Sequence, residues 1–148
     1  MSNRKIVQGL IEDLKIPDEK QVKVMRAIDK LDKPGFGLKG VEDLLKKERK
    51  DKSGAVTKGA NLSDDQASQI IDFLKIKDLK ELKKNFQNSL TLEGINEIEQ
   101  LYEILSYGDY SDLVKTNFTI VRGLSYYDSF IVETNLIFNN NLLVKTLY

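Results

Sequence analysis

The sequence has no cysteine, no histidine and no tryptophan, and its prolines are Pro17 and Pro34 alone. Without cysteine there is no disulfide framework, no thiolate nucleophile and no Cys-ligated zinc or iron–sulfur site. Without histidine these residues supply no Ser-His-Asp triad, no imidazole base and no His-ligated metal. No apolar run approaches the roughly 18 residues that cross a bilayer. The opening "MSNRKIVQGL" starts basic but has no continuous apolar stretch and no small-residue cleavage site, so it does not read as a signal peptide. Walker, GxGxxG, HExxH and EF-hand patterns are missing as well. Net charge is zero, with 23 basic and 23 acidic residues, so overall charge points to neither a polyanion nor a membrane surface. The expectation is a cytoplasmic chain whose 148 residues form one domain or a piece of a larger protein.

Helical periodicity fills most of what remains. Ile6, Leu10, Ile11 and Leu14 share a face over residues 4–15. Pro17 and two acids open the next helix, where proline fits a first turn and carboxylates complement the dipole. Val24, Ile28 and Leu31 follow at helical spacing. "PGFGLKG" reads as a turn before a third helix at about 40–51 with Val41, Leu44 and Leu45 inward. "KDKSGAVTKGANL" reads as a mobile loop. Ser63 and Gln66 have capping-box spacing and predict a helix with Ile70, Ile71 and Leu74 inward. A short helix follows, with Leu79, Leu82 and Phe86 inward. The longest helix is expected at about 91–106 on Ile95, Ile98, Leu101, Tyr102 and Leu105, stopped by Gly108. From Asn117 the composition turns β-branched and aromatic. "FTIV" and "SFIVETNLIF" read as strands, "NNN" as a turn and "LLVKTLY" as a third strand. The fold class is α+β and mainly helical, with a short β segment too small to bury a sheet without a partner face.

Charge is unevenly placed along this neutral chain. Residues 39–58 carry Lys46, Lys47, Arg49, Lys50, Lys52 and Lys58 among others, whereas Leu92 to Asp112 holds acids and no Lys or Arg. The basic run has two readings: contact with a nucleic-acid backbone, or a solvated helix end and loop. Asp64 and Asp65 form a carboxylate pair, but they lie at a helix N-terminus and are explained by the dipole.

One stretch combines groups suited to a small polar ligand. "VRGLSYY" places Arg122, Gly123, Leu124, Tyr126 and Tyr127 together. A guanidinium forks onto a carboxylate or phosphate, and tyrosine hydroxyls bind amines or ring nitrogens. The plain alternative is aromatic packing at a strand end.

"VRGLSYYDSFIVE" resembles the histidine-binding signature of the histidyl-tRNA synthetases, whose usual form is Arg-Gly-Leu-Asp/Glu-Tyr-Tyr-Thr-Gly with a Glu a few residues on. Arg122, Gly123, Leu124, Tyr126, Tyr127 and Glu133 match in register. "NRKIVQGLIEDLKIPDEKQVKVMRAIDKLDK" resembles the family's Asn-Arg-Lys helix and the start of its helical insertion, and "LSDDQASQIIDFL" resembles the next helical part. Together these cover most of residues 3–138.

The resemblance implies a class II synthetase: residues 1–16 as a catalytic-domain helix, 17–115 as the helical insertion domain, and 116–148 as a catalytic-domain antiparallel β segment with the histidine motif. It implies that Arg122 is catalytic, set against the α-phosphate and the histidine carboxylate, and that Gly123, Leu124, Tyr126 and Tyr127 help bind histidine. It implies a parent that uses ATP with Mg2+, acts on the acceptor region of tRNA(His), and dimerises. The basic residues of 39–58 would then face RNA. Ser125 stands where the family has an acid, and Asp128-Ser129 where it has Thr-Gly. Class II motifs 1, 2 and 3, the Gly-Gly-Arg-Tyr stretch and an anticodon-binding domain are not found. The expectation is an internal piece of a synthetase, inactive alone, with no cofactor or metal bound by these residues. The alternatives are a non-catalytic synthetase-like module that binds acceptor-stem RNA or histidine, and a helical interaction domain with a fortuitous motif.

Overall fold

A computed structural model describes residues 1–50, 54, 56–121, 128–135 and 146–147. It is mainly helical with short antiparallel strand pairs, as the sequence predicts. Strand β1 (Ser2–Asn3) leads directly into α1 (Arg4–Asp13), then α2 (Asp18–Ile28) and α3 (Gly37–Lys46). Next come β2 (Arg49–Lys50), β3 (Val56–Thr57), α4 (Asp64–Lys75), α5 (Leu79–Asn85) and α6 (Ser89–Ser106). A 3-10 turn at Ser111–Leu113 precedes β4 (Phe130–Ile131), β5 (Thr134–Asn135) and β6 (Thr146–Leu147).

The helices pack through the stripes read from spacing. Ile6, Ile11, Ile28, Leu45, Ile70, Leu74, Leu82, Ile95 and Ile98 are fully buried in one apolar cluster. Each such side chain contributes about 1.5–3 kcal/mol on leaving water, which is what holds these otherwise marginal helices. Helix α1 lies along α6, while α3 packs on both α2 and α4. The α1–α6 approach depends on Gly9 and Gly94. A Cβ on Gly9 would stand 2.2 Å from Thr91 Oγ1, and one on Gly94 would meet Ile6, Lys5 and Asn3 at 3.0–3.2 Å. Phe73 and Phe86 close the α4–α5 corner edge to face, with centroids 5.6 Å apart.

The caps explain the helix starts. Ser63 accepts from Gln66 N while the Gln66 side chain accepts from Ser63 N, so the expected capping box is formed. Asn88 Oδ1 accepts from Leu90 N and Thr91 N, which moves the start of α6 to Ser89 rather than residue 91.

Several expectations are corrected. Helix α2 ends at Ile28, and Leu31 stays against the core through tighter turns, with Leu31 N donating to Ile28 O at 2.9 Å. Helix α3 already begins at Gly37, with Gly40 N bonded to Phe36 O at 3.0 Å. Gly40 is buried, so its bare backbone serves packing. The polar stretch after α3 is partly ordered pairing: Arg49 faces Thr57 and Lys50 faces Val56. Ala60 N and Leu62 N then donate to the Leu44 and Leu45 carbonyls, both at 2.9 Å, so this segment satisfies the C-terminal end of α3.

"FTIV" is not a strand. Asn117 Oδ1 accepts from Thr119 N at 3.0 Å and from Thr119 Oγ1 at 2.6 Å, which folds the chain into a turn. Phe118 and Val121 are nevertheless buried, so the apolar content serves the core without a ladder. "SFIVETNLIF" is not one continuous strand. Its described part is split into β4 and β5 around exposed Val132, and residues 136–138 lie outside the described residues. Of "LLVKTLY", Thr146–Leu147 is described as β6, paired with β5.

Strand β1 carries a neighbour on each side. Ser2 and Asn3 pair antiparallel with Ile131 and Phe130. On the other side the Met1 amine donates to Lys115 O at 2.6 Å, and Asn117 N donates to Met1 O at 2.8 Å. The start of the chain thus threads between two segments far along the sequence.

Candidate functional site

Arg122, Gly123, Leu124, Tyr126 and Tyr127, the residues singled out for catalysis and histidine binding, lie outside the described residues. The structure places both flanks of that motif. Val121 is buried immediately before it. Asp128 is exposed after it, and Ser129 leads into β4.

Ser129 is held at two atoms. Its carbonyl accepts from Arg4 N at 2.8 Å, and its hydroxyl donates to Glu97 Oε2 at 2.6 Å. The same carboxylate oxygen accepts from Asn3 Nδ2 at 2.6 Å, and Glu97 Oε1 accepts from Lys5 Nζ at 2.5 Å. Lys5 Nζ also reaches Glu93 Oε1 at 2.7 Å. Asn3 turns its other amide atom to the helix, where Oδ1 accepts from Lys5 N at 3.0 Å. One carboxylate on α6 therefore ties together β1, α1 and the residue that opens β4.

Burial works to raise the Glu97 carboxyl, but donation from Lys5, Ser129 and Asn3 outweighs it and holds the group below the ordinary glutamate range. Lys5 is held above its ordinary value by its hydrogen bonds to Glu93 and Glu97. Glu97 was missed by sequence reasoning, because it sits off the apolar stripe of α6. The available signal was the run of acids without a basic residue from Leu92 to Asp112. Such a helix must find its cations elsewhere, and it does so on α1 at Lys5 and on α5 at Lys83, whose Nζ lies 3.0 Å from Glu99.

Glu133, the acid that matches the motif's trailing Glu, lines an open groove of about 860 Å³ beside the end of α6. Leu101, Leu105, Leu113, Ile120 and Val132 form much of its apolar wall.

The basic segment divides. Lys46 pairs with Glu42 at 2.8 Å and Asp64 at 2.9 Å, and these hydrogen bonds raise its affinity for the proton. The Arg49 guanidinium stacks on the Phe36 ring at 4.1 Å and donates to Gly35 O at 3.4 Å. Lys47 and Lys58 are exposed. The Lys50 backbone belongs to β2, and Lys52 lies outside the described residues. Among the described residues no group of three or more acidic side chains is placed to hold a metal ion, and no helix is long and apolar enough to cross a membrane.

No family model matches the chain. Curated relatives do. The chain is 78% identical over 138 residues, 93% of its length, to the histidine–tRNA ligase of Pelagibacter ubique. It is 38% identical over 150 aligned positions to the histidine–tRNA ligase of Bartonella bacilliformis, and 37% identical over 147 to that of Ruegeria pomeroyi. In each case about 94% or 93% of the chain is matched, but the chain spans only 29–30% of the relative's length.

Proposed function

From the homology of this chain to a segment of the histidine–tRNA ligases, we propose that it is the part of such an enzyme that carries one wall of the histidine–adenylate site and the helical insertion. The parent reaction joins histidine to tRNA(His) through an adenylate made from ATP. The observation that carries this reading is the 78% identity over 93% of the chain, with "RGLSYY" inside the matched stretch as the group of residues suited to histidine.

In this reading Arg122 pairs with the histidine carboxylate and the α-phosphate, where its fixed charge offsets the charge that develops as the adenylate forms. Gly123 and Leu124 help bind histidine as members of the same motif, and Tyr126 and Tyr127 line the imidazole pocket. Residues 1–16 and 116–148 belong to the catalytic domain and 17–115 to the insertion. The pairing of β1 with β4 supports treating the first and last parts as one unit. Mg2+ enters with ATP, and no described residue is assigned to it. The parent acts in the cytoplasm as a homodimer. On the insertion, Lys47 and Lys58 are exposed among the described residues of the basic segment and would meet the acceptor stem. Lys46 and Arg49 are committed to Glu42, Asp64 and Phe36, and serve to hold the surface that presents them.

The test is histidine-dependent ATP–pyrophosphate exchange by the full-length ligase of which the chain would be a segment, not by the 148-residue chain alone. Exchange is expected with histidine and with no other amino acid. Arg122→Ala should lower kcat/KM at least a hundred-fold, since it removes a charge aimed at the transition state. Exchange that is indifferent to histidine would overturn the reading.

A further inference from the structure

We propose that Glu97 is a positioning residue for histidine binding, acting through Ser129 rather than by touching the ligand. The inference rests on the ligase reading above and adds a residue outside the motif to it. The geometry is specific. Ser129 follows the motif by two residues, and its hydroxyl lies 2.6 Å from Glu97 Oε2. Glu97 is itself fixed from two directions, by Lys5 at its Oε1 and by Asn3 at its Oε2. Neither donor is free to drift. Asn3 caps α1 with its remaining amide atom and lies in β1, which is registered residue by residue against β4. Lys5 is held by Glu93 as well. The Ser129 carbonyl is fixed independently by Arg4 N at 2.8 Å.

Residues that must hold a ligand within a few tenths of an ångström need the neighbouring chain fixed by groups that cannot relax. The Glu97 cluster supplies such a fixture at the C-terminal end of the motif, and Gly94, one turn earlier on α6, lets α1 come close enough to complete it. Ser129 matters here because its hydroxyl is the one donor in the cluster contributed by the segment that continues from the motif. A residue without that hydroxyl leaves Glu97 bound to Lys5 and Asn3 alone.

The experiment compares wild type, Ser129→Ala, Glu97→Gln and the double variant in pyrophosphate exchange by the full ligase polypeptide, with histidine and ATP varied separately. The expected result is a histidine KM raised about ten-fold in each single variant, with the ATP KM within about two-fold of wild type. The double variant should be no worse than Glu97→Gln, because the bond that Ser129→Ala removes ends on the carboxylate that Glu97→Gln already alters. A merely structural role would lower the active fraction, and so kcat, and leave the histidine KM in place. Should Glu97→Gln fail to fold, Ser129→Ala still decides, since it leaves the Lys5 and Asn3 bonds intact. An unchanged histidine KM in Ser129→Ala, or additive effects in the double variant, overturns the proposal. A wild type without histidine-dependent exchange overturns the functional reading itself, and this inference with it.

Discussion

Glu97 shows how a single side chain can set the relation between distant segments. It joins residues 3, 5 and 129 through three hydrogen bonds, two of them spanning more than 90 positions of sequence. Its side chain is 26% exposed, so the bonds are partly shielded from water. Glu97→Gln removes the charge that makes these bonds strong and should destabilise the chain by about 1–2 kcal/mol at pH 7, less than a fully buried pair would give. The pH dependence follows from the depressed carboxyl. Because the folded pKa lies below the unfolded one, the contribution is fully present above the ordinary glutamate range. It is lost as pH falls through the depressed value. Urea melts of wild type and Glu97→Gln should therefore differ at neutral pH and converge in acid, once the pH lies below the depressed carboxyl value. A constant difference at both pH values would show that the loss comes from packing rather than charge. Nothing local to "GINEIEQLYE" marks this role. Glu97 was legible as an acid on the polar face, while its three donors are brought to it by tertiary contact alone.

The elements were legible to different depths. Helices α1, α4 and α6 follow their apolar spacing because a helix buries a stripe that the chain writes every three to four residues. Ser63 and Gln66 announced the start of α4 for the same local reason. Asn88 caps α6 equally well, but without the companion Glu or Gln the signal passes as ordinary loop polarity. The basic segment after α3 looked like a row of free cations and is not one. Lys46 is neutralised by Glu42 and Asp64, and the Arg49 guanidinium sits over the Phe36 ring. The predicted consequence concerns tRNA. Replacing Lys47 and Lys58 by Gln in the ligase should weaken tRNA binding and reduce its salt dependence by about two counterions. Lys46→Gln should leave that slope in place. Binding curves collected from low to moderate salt check this. An unaltered slope in the Lys47, Lys58 double variant would remove this segment from the RNA interface.

At the scale of the whole molecule, the chain joins two kinds of structure in one apolar cluster. Helix α3 packs on α2 and α4, α5 touches α6, and α6 lies on α1 and β1. Helix α6 comes last of the helices in sequence and packs on the first. Apolar side chains are exposed at the far end of α6 and in the turn after it: Ile104 is 65% exposed, Tyr107 81% and, in the 3-10 turn, Leu113 76%. The strand pairs around it are two residues long, too short to stand without neighbours. The ligase relatives extend over roughly three times the length that the chain matches. One arginine of the motif does not bind and orient ATP without further groups. We therefore expect the isolated 148-residue chain to give no histidine-dependent pyrophosphate exchange. Exchange above the no-enzyme background, abolished by Arg122→Ala, would refute that expectation.

The sequence by itself determined the helices, their inward faces, one cap and the motif that relates the chain to the histidine–tRNA ligases. These are local facts, since a period, a capping pair and a string of motif residues are all written in consecutive positions. Only the tertiary structure decided that "FTIV" turns instead of pairing, that β1 threads between residues 115–117 and β4, and that Glu97 holds Ser129. Strand pairing and charge pairing join residues far apart in the chain, and their energies depend on register, distance and burial. Those quantities exist only once the helices have packed and brought the two ends of the chain together.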